Sequence, residues 1–182
     1  MREIRIHGRG GQGVAAMAEM MAMAFVLDGK NGASFPMFGS ERRGGPVTAF
    51  ARFDEQPILE KTKVYEPDCL ILFDRGLMRS PKIYQGLKTN AILVVNSKGS
   101  VREKPYEQIK LVGSLNADNI ALAELGRNIP NTCLLGAFAA CTGWLGLKGV
   151  LLCLEEYFAD EKLEANKACA KRGFEEVTVT HY

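Results

Sequence analysis

Apolar and polar positions alternate along this chain with two different periods, and the change of period predicts strands and helices in turn. Residues 3–7 (EIRIH) alternate as a strand does, and residues 14–27 (VAAMAEMMAMAFVL) are apolar nearly all round, as a buried helix is. Residues 69–74 (CLILFD) and 91–96 (AILVVN) are unbroken apolar runs that end in a polar residue. Such runs are typical of parallel strands that are covered on both faces.

The rest of the chain continues this alternation. It predicts strands at 33–37, 47–53, 58–60 and 110–115, helices at about 77–87 and 117–126, a long apolar helix after 128–131 that ends near 145, and one or two amphipathic helices in the tail. Strands that alternate with helices favour a three-layer α/β/α sandwich around a mostly parallel sheet, which the hairpin-like segment 47–60 makes mixed. We expect one domain, 1–182.

Composition restricts the class of protein. The chain is 47% hydrophobic and 24% charged with a net charge of +2, so nothing in the overall balance draws it to nucleic acid or to a membrane. The charged, strand-like start MREIRIHG is unlike a secretory signal. Gly143 and Gly146 interrupt the longest apolar stretch before it reaches the roughly 20 residues of a spanning helix. We therefore expect a cytoplasmic protein.

The cysteines are odd in number and widely spaced, at positions 69, 133, 141, 153 and 169. None forms C-x-x-C, and the two histidines, His7 and His181, do not stand at metal-ligand spacing. We expect buried thiols in a reducing compartment and neither a metal site nor an iron–sulfur cluster held by this chain alone. No pattern of catalytic residues is recognisable, so no catalytic residue is assigned.

A first glycine segment, residues 8–13 (GRGGQG), fits G-x-G-x-x-G between a predicted strand and a predicted helix. That context suits a phosphate at the helix start. A dinucleotide fold also needs an acidic residue at the end of its second strand, and Asp28 stands before that strand while Glu41 is followed by two arginines. NAD or FAD binding is therefore a weak alternative, and a tight turn without any ligand is another.

A second glycine segment, residues 39–46 (GSERRGGP), places two guanidinium groups among glycines in a predicted loop. Arginine forks onto phosphates and carboxylates, although a solvated basic turn would have the same composition. Both segments follow predicted strands, at the edge where α/β sheets bind ligands. Together they predict one edge that faces a phosphate or a carboxylate. The methionine-rich helix 14–27 between them suits either the interior of this chain or an interface.

The combination of HGRGGQGV, FPMFGSERRGGPVTAFARF and IPNTCLLGAFA resembles the gamma subunit of 2-oxoacid:ferredoxin oxidoreductases over essentially the whole chain. The resemblance implies a subunit of an enzyme that oxidatively decarboxylates a 2-oxoacid to its acyl-CoA and reduces ferredoxin. It implies that thiamine diphosphate, Mg and the iron–sulfur clusters are held by partner alpha, beta and delta-type subunits. This chain then helps to enclose coenzyme A, packs on the thiamine-bearing subunits, holds no cofactor alone and is inactive alone. The second segment leans toward pyruvate as the oxoacid.

The resemblance also names candidate residues for coenzyme A or subunit contacts. They are Gly8, Gly10, Gly11, Gln12 and Gly13 in the first segment and Ser40, Glu41, Arg42, Arg43, Gly44 and Gly45 in the second. Arg42 or Arg43 would face a phosphate or stabilise the interface, with Glu41 orienting one of them, and Asn131 and Thr132 would cap the following helix. An independent dinucleotide-dependent oxidoreductase and a purely structural subunit are the alternatives.

Overall fold

The computed structural model describes residues 1–37 and 44–182. Within these ranges the chain forms seven strands and five α-helices. The strands are β1 (Arg2–Arg9), β2 (Asn31–Met37), β3 (Pro46–Asp54), β4 (Cys69–Leu72), β5 (Ala91–Asn96), β6 (Ile109–Leu115) and β7 (Thr178–His181). The helices are α1 (Val14–Leu27), α2 (Ala117–Leu125), α3 (Asn131–Thr142), α4 (Leu147–Tyr157) and α5 (Asp160–Glu176). No helix in the described ranges is long and apolar enough to cross a membrane.

The strands form one mixed sheet in the order β2-β3-β1-β4-β5-β6-β7. The pairs β1/β4, β4/β5 and β5/β6 are parallel and form the centre. The pairs β2/β3, β3/β1 and β6/β7 are antiparallel and lie toward the two edges. The predicted α/β fold with a mixed sheet is confirmed.

The two faces of the sheet are covered differently. Residues of all five α-helices share a core with one face, at positions such as Ile4, Ile6 and Ile71. The other face packs against two 3₁₀ turns, Arg75–Arg79 and Pro81–Tyr84, and against irregular segments. The second covering layer of the predicted sandwich is therefore built without α-helices.

Two predicted elements were wrong. Residues 58–60 form no strand; they belong to an irregular segment in which Leu59 is 87% exposed. The helix predicted at 77–87 is replaced by the two 3₁₀ turns, because Ser80 has extended backbone and the next residue is Pro81. A residue before proline is driven out of the helical region, which stops a helix there.

The prediction for the start of α3 was also wrong in part. Asn131 is the first helical residue and Pro130 takes the cap position, although Asn131 Oδ1 does accept the backbone N–H of Thr132 at 2.9 Å. The Thr132 hydroxyl donates instead to Asn166 of α5 at 3.1 Å. The helix ends at Thr142 because Gly143 adopts a left-handed backbone. The tail forms both amphipathic helices and a strand, β7, which was not predicted.

Helices α3 and α5 approach so closely that glycine is required on both. A Cβ at Gly136 would overlap the carbonyl of Ala170, and a Cβ at Gly173 would overlap the carbonyl of Cys133. Both obstacles are backbone atoms, so a larger residue could fit only if one helix moved away from the other. This contact fixes α5 against the helix that starts beside the first glycine segment.

Gly173→Ala should destabilise the protein although alanine is the better helix former. We expect a loss of about 1–3 kcal/mol, because overpacking against backbone exceeds the roughly 1 kcal/mol gained in helix propensity. Urea unfolding followed by circular dichroism measures it. Gly99→Ala is the matched control, since a Cβ there meets no atom within 4 Å. Equal midpoints for the two variants would contradict the close approach.

Candidate functional site

Antiparallel pairing of β1 with β3 brings the two glycine segments together. The register runs to Arg9 opposite Pro46. Beyond it, the Gly10 N–H donates to the Gly45 carbonyl at 2.9 Å, and the Gly44 N–H donates to the Gly10 carbonyl at 3.3 Å. The predicted juxtaposition is therefore present for the described part of the second segment; Ser40, Glu41, Arg42 and Arg43 lie outside the described residues.

The first glycine segment forms the turn from β1 into α1. A Cβ at Gly8 would lie 2.5 Å from Val14 Cγ2 and 3.0 Å from Phe73 Cβ, so a larger residue fits only if the Val14 side chain moves. Gly13 is the first residue before the helix and has φ 84°, in the left-handed region that favours glycine. The Gln12 side chain folds back, and its Oε1 accepts the Arg9 N–H at 2.7 Å. These glycines and Gln12 thus have a structural role in the turn, whatever else they contact.

A cleft of about 440 Å³ opens beside this turn, at the carboxyl ends of the parallel strands. Asn96, the last residue of β5, holds its walls together: its Nδ2 donates to the Phe73 carbonyl at 3.1 Å and its Oδ1 accepts the Ala117 N–H at 3.0 Å. The cleft is lined by Gln12, Phe73, Asp74, Arg75, Asn96, Ser97, Lys98 and Asp118. This is the edge where α/β sheets place their ligands.

Charges of both signs line the cleft. Asp74 accepts the Gly76 N–H at 2.7 Å, and its carboxylate lies 3.7 Å from Arg9 Nε in a solvent-exposed ion pair. Arg75 and Lys98 supply the positive charge. The Oδ1 atom of Asp118, in the first turn of α2, is buried without a hydrogen-bond partner among the described residues. The cleft therefore presents cations for an anion and an open acceptor for an N–H or O–H donor.

Of the residues that line the cleft, sequence analysis selected only Gln12. Asp74 and Asn96 were visible only as the polar residues that end two apolar runs. That signal locates the edge of a parallel sheet. That signal does not predict that Asp118, in the first turn of α2, lines the same cleft.

The strand order argues against a dinucleotide site. In such a fold, the second strand lies parallel beside the first and carries the ribose-binding acid at its end. Here β2 lies at the edge of the sheet, and the neighbour of β1 on that side is the antiparallel β3. Asp28, at the end of α1, pairs with Lys30 at 2.6 Å instead. The G-x-G-x-x-G match therefore lacks the structural context that would support NAD or FAD.

All five cysteines are buried thiols, as predicted. Burial raises the pKa of Cys141 to about 12 and that of Cys153 to about 12. Thiols with such pKa values are poor nucleophiles near neutral pH. Across residues 1–37 and 44–182, no three His, Cys, Asp or Glu side chains are grouped so that they could hold a metal ion.

Comparison with known proteins identifies the fold. The family model for pyruvate ferredoxin/flavodoxin oxidoreductase matches residues 3–176. The chain belongs to this family. It is 42% identical over 182 residues to the pyruvate/ketoisovalerate oxidoreductases common subunit gamma of Pyrococcus abyssi, with 98% of each chain covered. It is 40% identical to the gamma subunit of the NADH-dependent phenylglyoxylate dehydrogenase of Aromatoleum evansii, covering 100% of this chain and 96% of that one.

A crystal structure agrees with these relatives. The pyruvate oxidoreductase subunit PORC of Thermotoga maritima superposes with a TM-score of 0.86 at 35% identity, covering 99% of this chain and 98% of that one. The predicted resemblance to the oxidoreductase gamma subunits is confirmed. The protein is a gamma subunit of a pyruvate or 2-oxoacid oxidoreductase complex.

In this gamma subunit, one histidine lies close to the first glycine segment. His7 is near the carboxyl end of β1, and its Nδ1 lies 3.4 Å from the Thr48 hydroxyl of β3. Its Nε2 is buried without a hydrogen-bond partner among the described residues. Burial, and then the positive charge of Arg5 on the same face of β1, lower the pKa of His7 to about 4. The imidazole is therefore neutral at physiological pH.

The stability contributed by neutral His7 should be lost as the pH falls. The unfolded chain binds the proton with a pKa near 6.5. Stability is therefore fully present above about pH 6.5 and declines toward pH 4, with a loss of about 2 kcal/mol between pH 7 and pH 5. Urea unfolding at these two pH values should show a smaller difference for His7→Asn than for the wild type.

NMR titration of the imidazole signals provides the independent check. The chain has two histidines, and His181→Asn assigns the two signals. A His7 signal that titrates near pH 6.5 would contradict the buried, unpaired geometry.

Proposed function

We propose that this chain is the gamma subunit of a cytoplasmic complex that oxidatively decarboxylates a 2-oxoacid, pyruvate preferred, to acyl-CoA with reduction of ferredoxin. Its role is to help enclose coenzyme A and to pack on the thiamine-bearing subunits. Thiamine diphosphate, Mg and the iron–sulfur clusters belong to partner alpha, beta and delta-type chains. The observation that carries the proposal is the full-length likeness to gamma subunits at about 40% identity.

The oxoacid and the electron acceptor are the two finer parts of the proposed function. The compared relatives are named for pyruvate, ketoisovalerate and phenylglyoxylate, and one of them is NADH-dependent. Pyruvate is preferred because the second glycine segment resembles that of the pyruvate and branched-chain oxoacid members, and ferredoxin is the acceptor that the family resemblance implies.

The two glycine segments and the adjoining cleft are the surface proposed to face coenzyme A. Gly44 and Gly45 lie hydrogen-bonded against Gly10, and the cleft beside them combines cations with an open acceptor. Coenzyme A carries phosphates, which arginine binds in a fork, and amide N–H groups, which a carboxylate oxygen accepts. Arg42 or Arg43 is proposed to contact a phosphate or a neighbouring subunit, with Glu41 orienting it.

An irregular segment, residues 55–67, is proposed to contact a partner subunit. It presents Leu59 (87% exposed) and Tyr65 (69% exposed), the two most exposed large apolar side chains of the described ranges. The segment is nevertheless fixed, because buried Arg52 donates to the carbonyls of Thr62 at 2.6 Å and Lys63 at 3.0 Å. Large apolar groups held rigidly in water are typical anchors of protein interfaces.

The exposed side of α1 decides whether this helix belongs to the interior of the chain or to an interface. Eight of its fourteen residues are buried within this chain, including Met17, Met20 and Met21. Met23, Val26 and Leu27 remain 37–50% exposed on its outer side. The helix is therefore interior on most faces, and its outer side offers a second apolar surface for a partner.

Turnover assays of the isolated chain and of the assembled complex test the proposed activity directly. The purified chain should show no turnover of pyruvate with coenzyme A and oxidised ferredoxin, whereas the complex assembled with its alpha, beta and delta-type subunits should. In that complex, Arg42→Ala/Arg43→Ala should raise the KM for coenzyme A by about tenfold or more with little change in that for pyruvate, because the proposed charge-assisted phosphate contact is removed.

Arg127→Ala, at an exposed position at the end of α2, is the control and should leave both KM values unchanged. Weaker assembly with an unchanged KM for coenzyme A would favour a purely structural subunit. Turnover by the isolated chain would refute the proposal.

Leu59→Ser/Tyr65→Ser should weaken assembly without unfolding the chain. Both side chains are exposed, so we expect the free energy of unfolding to change by less than about 0.5 kcal/mol. Loss of two apolar anchors should weaken association by about tenfold or more, measured by analytical ultracentrifugation with the partner subunits. Leu122→Ser, at an exposed leucine of α2, is the matched control. Equal association constants for the two variants would exclude this segment from the interface.

A further inference from the structure

A basic groove of about 790 Å³ lies on the sheet face that has no α-helices. One wall is the first 3₁₀ turn, with Arg75 and Arg79. The other wall is the segment 100–105, with Arg102 and Lys104. We call this the basic groove. It adjoins the cleft at the carboxyl ends of the strands, because Arg75 lines both.

Tyrosine hydroxyls hold both walls in place. The Tyr84 hydroxyl donates to the Met78 carbonyl at 3.0 Å on the first wall. The Tyr182 hydroxyl donates to the carbonyls of Val101 at 2.8 Å and Glu103 at 3.2 Å on the second. Val101 itself is only 4% exposed in the core beneath the groove. The backbone of the groove is therefore positioned before any ligand arrives.

The charges of the groove are not balanced locally. Glu103 is the one carboxylate that lines it, against four cations. In the described part of the chain, none of these four cations forms an ion pair, whereas Arg2, Arg9, Arg52, Lys88 and Arg172 do. The whole chain carries a net charge of only +2, so the concentration here is local. Like charges held close together repel, and an anion between them relieves that repulsion.

We propose that the basic groove binds the phosphate groups of an organic ligand that carries at least two phosphates. Its volume is that of a small-molecule site, and it is concave between two fixed walls. Three of its four cations are arginines, whose planar forks suit phosphate oxygens better than a point charge does. An acidic protein surface is the competing class of ligand. A protein surface would be bound by a flatter basic patch, whereas this site is concave.

Phosphate binding by the basic groove would explain part of the proposed function, and it can be tested separately from that function. If the proposed function is correct, coenzyme A is one ligand with the required phosphates. In that case two of its three phosphates lie in the basic groove, which shares Arg75 with the cleft, and the third is the one proposed to contact Arg42 or Arg43. The affinity of the groove for phosphates is a property of this chain and is measurable without the partner subunits.

Calorimetric titration of the purified full-length chain with inorganic pyrophosphate and with ADP tests the groove, with adenosine as the phosphate-free comparison. We expect saturable binding of the two phosphorylated probes, weakened by added salt, and none of adenosine. Arg79→Gln/Arg102→Gln should weaken both affinities by about tenfold or more. Both side chains are exposed, so the variant should fold normally, which circular dichroism and urea unfolding verify.

Arg127→Gln/Lys171→Gln is the matched control, because it removes two exposed cations away from the groove, one just after α2 and one in α5. It should change the affinities by less than about twofold. An equal loss in both double variants would show that net charge alone attracts the probes, and would overturn the proposal. So would the absence of saturable binding at millimolar probe. Loss of assembly by the groove variant with no pyrophosphate binding by the wild type would assign the groove to an acidic partner instead.

The proposed function is tested by a different measurement, the turnover of the assembled complex, so it can fail while phosphate binding by the groove is observed. Groove variants that lose pyrophosphate binding but leave the KM for coenzyme A unchanged would support a phosphate site for a ligand other than coenzyme A.

Discussion

The antiparallel pairing of β1 with β3 is the interaction on which the site depends. It continues past the strands themselves, through the backbone bonds between Gly10 and the pair Gly44 and Gly45. Two segments that are separated by a helix and a strand in the sequence thereby meet at one edge. Backbone bonds carry this contact, so it does not depend on particular side chains. Gly8 adds the steric condition, since a Cβ at its position would overlap the Val14 side chain.

The same pairing decides what the glycine motif means. With β3 antiparallel beside β1, a parallel strand adjoins the first glycine segment only on the β4 side. The cleft therefore opens toward β4, β5 and the start of α2, where Asp74, Asn96 and Asp118 stand. A G-x-G-x-x-G match specifies a strand, a tight turn and a helix, and it leaves open which strands lie on either side. The ligand class depends on those neighbours.

The elements that the sequence predicted well are those whose own residues determine them. Helix α1 and strands β4, β5 and β6 have apolar patterns that match their burial. The 3₁₀ turns follow from the local Ser80–Pro81 step, which breaks a helix that periodicity favours. Strand β7 depends on a partner elsewhere in the chain, because it forms by pairing with β6. The basic groove was missed for the same reason. Its arginines belong to two segments that only tertiary structure brings together, and the glycine segments drew attention to a different pair.

Two buried arginines explain how the face without α-helices can be ordered at all. Irregular segments leave backbone carbonyls without the partners that a helix would provide, and a buried carbonyl needs a donor. Arg52, 1% exposed, donates to the carbonyls of Thr62 and Lys63, while its Nε donates to Glu3 at 2.9 Å. Arg5 donates to the carbonyls of Ile83 and Gln85 at 2.7 and 2.8 Å. These guanidinium groups take the place of helical backbone bonds. Because Arg52 satisfies the inner side of residues 55–67, the outer side of that segment is left to carry the exposed apolar side chains of Leu59 and Tyr65.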